Sequence, residues 1–127
     1  MRLNQVTVTV GDIDAAVVFY VTLGLKLIVK SPRYARFLCP EGESTFSIHA
    51  GEIPVNPSTV VYFENDDLDA VVQRLKESGL QFDTDPTDER WRWREARLRD
   101  PGGNPICLFQ AGSNRLNPPW RLQESQQ

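Results

Sequence analysis

The sequence predicts an α+β fold: two β-α-β-β-β modules forming a cupped mixed sheet, with helices on the outer face. Three observations carry this: an internal repeat, apolar–polar alternation at strand spacing, and a capped helical pattern after the first strand of each copy. Val6 to Leu27 slides onto Val61 to Phe82 at an offset of 55, pairing Val6 with Val61, Asp12 with Asp67, Asp14 with Asp69, Val17 with Val72 and Gly24 with Gly79. Arg33 to Gly42 slides onto Arg94 to Gly103 at an offset of 61, where Arg33, Ala35, Arg36, Pro40 and Gly42 meet identical residues. The change of offset places six extra residues in the second copy, between Leu80 and Arg94. The order of both matches indicates duplication of a module of roughly 55 residues.

Each module reads in order. Val6, Val8 and Val10 alternate with Gln5, Thr7 and Thr9, a strand with one apolar face; Val61 and Phe63 repeat it against Val60, Tyr62 and Glu64. Asp12 and Asp67 are N-caps. Ile13, Ala16, Val17 and Tyr20, and then Leu68, Val71, Val72 and Leu75, fall at helical spacing. Gly24 and Gly79 stand where a helix end requires positive φ. Strands are expected at Leu25 to Lys30, Tyr34 to Cys39 and Thr45 to His49. In the second module they are expected at Leu80 to Thr84, Arg94 to Arg99 and Pro105 to Gln110. The DPGGN stretch before the last strand reads as a tight hairpin. The domain is expected over 1–112, with module one at 1–51, module two at 58–112 and a tail at 113–127. Trp120 in that tail is expected to dock on the fold or on a second subunit, and the last five residues to be disordered.

Composition narrows the function. The 127 residues fit one domain, and 40% hydrophobic with 24% charged residues suits a globular chain. Fourteen Lys and Arg against 17 Asp and Glu give a net charge of −3, which disfavours a general nucleic-acid binder. The arginines between Arg90 and Arg99 divide between strand faces and are diluted by acids, so no nucleic-acid partner is expected. No apolar run reaches a membrane span, and MRLNQVTVTV lacks the pattern of a signal peptide, so a cytoplasmic protein is expected. Cys39 and Cys107 are too few for a disulfide scaffold or a cysteine zinc site.

The residues NQVTVTVGDIDAAVVFYVTLGLKL, VVYFENDDLDAVVQRLKESG and RLRDPGGNPICLFQ resemble the vicinal oxygen chelate superfamily, which includes glyoxalases, extradiol dioxygenases and bleomycin-resistance proteins. The resemblance covers about residues 1–112 and implies paired modules, commonly in homodimers. It also implies a divalent metal (Zn, Ni, Mn or Fe), held by residues of the first and last strands of each module. Those ligand positions fall on Gln5, Ser47, Val60 and Cys107, and Val60 cannot coordinate. A metal set of Gln5, His49 and Glu95 is the remaining candidate.

His49 is the single histidine, and imidazole suits a ligand or a general base. By alternation Glu95 and Arg97 face away from the helices, which makes Glu95 a candidate acid–base residue beside His49. Arg36 and Arg97 are repeat-equivalent candidates for clamping an anionic substrate. Tyr34, Tyr62 and the tryptophans Trp91 and Trp93 are candidate pocket residues, the tryptophans on a flap formed by Asp83 to Trp93. Cys107 reads as a buried inert thiol. Two functions follow from the resemblance. One is a glyoxalase- or dioxygenase-like enzyme (lyase, isomerase or dioxygenase) acting on a small oxygenated organic molecule. The alternative is a metal-free binding or sequestering protein of the bleomycin-resistance type.

Overall fold

The computed structural model describes residues 1–123, so four of the five terminal residues expected to be disordered lie outside it. It contains two four-stranded sheets, each with one helix, and the chain divides into two compact units.

The first unit comprises Met1–Val60 together with Arg99–Pro105. Its strands are β1 (Gln5–Val10), β2 (Lys26–Ser31), β3 (Tyr34–Leu38) and β4 (Thr45–Ala50), ordered β1-β4-β3-β2. β1 runs parallel to β4, and the other pairs are antiparallel. Helix α1 (Ile13–Leu23) starts because the Asp12 carboxylate accepts from Ala15 N. It stops at Gly24, whose φ of 125° lets its N–H return to the Tyr20 and Val21 carbonyls. Ala16, Phe19, Tyr20 and Leu23 are buried, as are the inward residues Val8, Val10, Ala35, Phe37, Phe46 and Ile48. The Tyr20 ring packs on Phe19, Phe37 and Phe46 with centroids 4.7–5.6 Å apart.

The hairpin tip predicted from DPGGN closes this unit. The Asp100 carboxylate is buried and accepts from Tyr20 Oη (2.7 Å), Gly102 N, Asn104 N and Asn104 Nδ2. Asn104 Nδ2 also donates to the Thr9 carbonyl at 2.8 Å. The tip thus groups with 1–60, whereas the sequence places it in the second module.

The second unit holds Val61–Leu98 and the chain from Ile106 onward. Its strands are β5 (Val61–Glu64), β6 (Thr87–Asp88), β7 (Arg94–Arg99) and β8 (Pro105–Gln110), ordered β5-β8-β7-β6. Helix α2 (Leu68–Glu77) is capped by Asp67 and by Gln110, whose side chain accepts from Leu68 N. It buries Leu68, Val72 and Leu75.

The strand expected at Leu80 to Thr84 does not form. There the N–H groups of Asp83 and Thr84 both turn onto the single carbonyl of Arg97, and Pro86 offers no donor. The edge strand forms instead at Thr87–Asp88, against Glu95 and Arg94. The tail makes a short 3-10 turn at Gly112–Asn114 and an Arg115–Glu64 ion pair, and Trp120 stays exposed.

Tyr20→Phe removes a donor from a buried carboxylate and is expected to cost about 1–3 kcal/mol in urea unfolding at neutral pH. Burial and Asp100 push the Tyr20 phenol far above its ordinary value of 10.0. Only the unfolded phenol therefore ionises above about pH 10. The stabilisation is complete below that pH and declines above it, by up to about 1.4 kcal/mol per pH unit. Denaturation series on wild type and Tyr20→Phe should show that alkaline decline reduced in the variant.

Candidate functional site

The faces turned away from the helices hold the candidate residues, and each unit presents a different chemistry. In the first unit the register pairs Gln5 with Thr45, Thr7 with Ser47 and Thr9 with His49 on β1 and β4. It pairs Tyr34 with His49 and Arg36 with Ser47 on β3 and β4. Strand alternation therefore puts all these side chains on one face, and His49 keeps its predicted orientation. Thr45 Oγ1 donates to Gln5 Oε1 (2.8 Å), Thr7 and Ser47 hydroxyls lie 2.5 Å apart, and Thr9 Oγ1 is 2.9 Å from His49 Nε2. Arg36 Nε donates to Tyr34 Oη at 2.9 Å. Hydrogen bonds from Ser47 and Arg36 lower the Tyr34 phenol's pKa. A groove of about 250 Å³ opens beside Thr7 and Thr9, lined also by Ser58, Thr59 and Asn104.

In the second unit Tyr62 stands opposite Cys107, and Glu64 opposite Phe109. Trp93 stacks on Phe109 with centroids 4.4 Å apart and planes 15° from parallel, and Tyr62 meets both rings edge-on. Glu95 is only 3% exposed, and both its oxygens are engaged. Oε1 accepts from Arg97 Nη2 (2.9 Å) and Oε2 from Trp91 Nε1 (2.6 Å). Burial opposes the charge on Arg97, but bonds to Tyr62 and Glu95 outweigh it and raise the guanidinium's pKa. Burial, then the Glu95 charge, push the Cys107 thiol up to about 12. It is thus a protonated thiol at neutral pH and a poor nucleophile.

The segment expected to be a flap is a backbone-bonded hairpin. Glu89 N donates to the Trp93 carbonyl and Arg92 N to the Glu89 carbonyl, and Arg92 takes a φ of 67° to close the turn. Trp91 and Trp93 are fixed by Glu95 and Phe109 rather than held loose.

These positions correct the implied metal set. Gln5 and His49 are four residues apart along paired strands, a separation of about 13 Å. One ion needs every donor within roughly 2–2.5 Å, so the two cannot share it. Glu95 has no oxygen left without a donor. Among the described residues no group of three His, Cys, Asp or Glu is placed to hold a metal. The residues present do not fit the divalent cation that the resemblance implies.

Two contacts were missed from sequence. Trp91 to Glu95 crosses a turn whose shape depends on Arg92 at positive φ. Asp100 to Tyr20 joins residues that only the folded hairpin brings together. The Tyr34–Arg36 pair was legible as an alternating pair on one strand, but its bond was not.

The Glyoxalase/Bleomycin resistance protein/Dioxygenase superfamily model matches residues 2–108. A glyoxalase/bleomycin resistance protein/dioxygenase from Nocardioides is similar in structure, with TM-score 0.79 and 22% identity, covering 97% of this chain and 90% of that one. Lactoylglutathione lyase from Agrobacterium tumefaciens gives 0.72 and 18% over 86% and 92%. The bleomycin resistance determinant encoded on the transposon Tn5 gives 0.73 and 20% over 87% and 98%. At these identities the similarity shows the fold. No curated protein matches the chain. Among the described residues no helix is long and apolar enough to cross a membrane.

Thiol labelling checks the second-unit geometry. Cys39 is half-buried with its pKa raised by that burial, while Cys107 is fully buried. At about pH 8 an aromatic disulfide reagent should modify Cys39 first, and Cys107 only after denaturation. Peptide mass spectrometry reads the order; equal rates would contradict the buried, protonated thiol.

Proposed function

The chain belongs to the Glyoxalase/Bleomycin resistance protein/Dioxygenase superfamily, and from that premise we propose that it binds a small aromatic organic molecule without a metal. The observation carrying this reading is the aromatic surface of the second unit: Trp93 stacked on Phe109, Tyr62 edge-on to both and 45% exposed. Aromatic pairs add about 0.5–1.5 kcal/mol beyond area burial, and rigid rings lose little entropy when a ligand lands on them. Glu95 is best read as a supporting residue. Its carboxylate fixes Trp91 and one nitrogen of Arg97, which argues against the acid–base role the sequence offered Glu95. The misfit of the metal donors supports the same reading, as does the likeness in fold to a bleomycin resistance determinant.

A second reading, an acid–base enzyme of the lyase, isomerase or dioxygenase type, is favoured by one feature. The exposed His49 stands directly across from Tyr34, whose phenol has a lowered pKa.

Thermal-shift and tryptophan-fluorescence screens of uncharged aromatic compounds, on protein stripped with EDTA, separate the two. The binding reading expects saturable binding that Tyr62→Ala weakens by about 3–10-fold and His49→Ala leaves unchanged. Binding that needs added metal, or that His49→Ala abolishes, would overturn it. Glu95→Gln should weaken the Arg97 contact and lower stability by about 1–3 kcal/mol, read by urea unfolding.

A further inference from the structure

The duplication leaves two equivalent arginines in opposite electrostatic situations. Each sits two residues after its bonding partner on the third strand of its module, as Tyr34-Ala35-Arg36 and Glu95-Ala96-Arg97. Arg97 is neutralised by the buried Glu95 carboxylate. Arg36 bonds a phenol instead of a carboxylate, and its guanidinium lies 5.5 Å from the Tyr34 ring centroid. Among the described residues no carboxylate pairs with it.

The surroundings reinforce the asymmetry. None of β1 to β4 contains Asp or Glu, although the chain carries 17 acidic residues. The charged or titratable residues on these strands are Lys26, Lys30, Tyr34, Arg36 and His49. Lys30 pairs with Asp14 on the helix side, and the register puts Lys26, opposite Leu38, on the face of Arg36. The acids nearest in sequence, Glu41 and Glu43, lie in the turn between β3 and β4.

Arg36 Nε donates to the Tyr34 oxygen, and the Thr7 and Ser47 hydroxyls lie 2.5 Å apart on the same face. Its oxygen accepting from Arg36, the Tyr34 hydroxyl keeps its own hydrogen to donate, and the charged donor polarises it. With Nε spent on Tyr34, the terminal nitrogens of Arg36 keep four N–H groups in the fork geometry that matches an oxyanion.

We propose that the first unit holds an oxyanion-binding site in which Arg36 takes the carboxylate or phosphoryl group of a small organic ligand and Tyr34 donates a second hydrogen bond. The site stands on the first unit alone and does not require the aromatic surface of the second to bind anything.

The probes are inorganic phosphate, phenylphosphonate and benzoate, titrated at low ionic strength. The Arg36 Nε–H resonance in nitrogen-15 NMR is the readout, and calorimetry gives the affinity. At least one probe is expected to shift that resonance saturably, with affinity falling as salt rises. Phosphate alone would assign the phosphoryl group, and benzoate alone the carboxylate. Arg36→Gln should weaken binding by about tenfold or more and Tyr34→Phe by about fivefold. Arg36→Lys, which keeps the charge and is the safer variant for folding, should bind with intermediate affinity. Equal affinity in wild type and Arg36→Gln, or no response to any probe at millimolar concentration, would overturn the proposal. Neither result bears on the fluorescence screen with uncharged aromatics, so the two readings fail separately.

Discussion

The Asp100 carboxylate is the constraint around which the first unit is organised. A buried ion must be fully hydrogen-bonded or its desolvation destabilises the fold. Asp100 meets this demand with one phenol, one side-chain amide and two backbone N–H groups. Each donor is tied elsewhere: Tyr20 lies at the centre of the aromatic core, and Asn104 holds the Thr9 carbonyl of β1. The hairpin tip, the helix and the first strand are therefore fixed by one charge. The polar face of that sheet inherits its register from them.

Much of this was legible because period and capping are local. Asp12, Gly24, Asp67 and the alternation of Val6, Val8 and Val10 each settle their own neighbourhood, and the duplication checks one copy against the other. The second strand of the second module was not legible. Leu80 to Thr84 has strand-like residues, yet its pairing depends on which carbonyls β7 offers, and that is decided outside the segment. The site divides in the same way. The face of each residue followed from alternation, and the register puts His49 and Arg36 on one face of the first sheet. Distance along a ladder depends on pairing register, which the sequence does not state, and that separates Gln5 from His49. Whether a charge is free depends on its partner, and Glu95 is taken by Arg97 and Trp91.

The two modules have thus diverged in how they treat an equivalent position. Replacing a phenol by a carboxylate two residues before the arginine converts an unneutralised cation into an internal ion pair. The second sheet then offers rings, while the first offers donors. Val60 and Cys107 belong to the same divergence: an aliphatic side chain and a protonated thiol occupy two of the positions where the sequence resemblance implies metal ligands.

Because residues 99–105 complete the first unit, neither module is a continuous stretch of chain. A ribosome releases the first helix and its four strands long before it releases Asp100. Through that interval the Tyr20 hydroxyl sits in an apolar core without its acceptor. The hydrogen bonds that complete the first unit therefore form only once the last hairpin has been made. Duplication here has produced two modules that resemble each other but are no longer independent in assembly, so a nascent or truncated chain ending before residue 100 would leave a core hydroxyl unsatisfied.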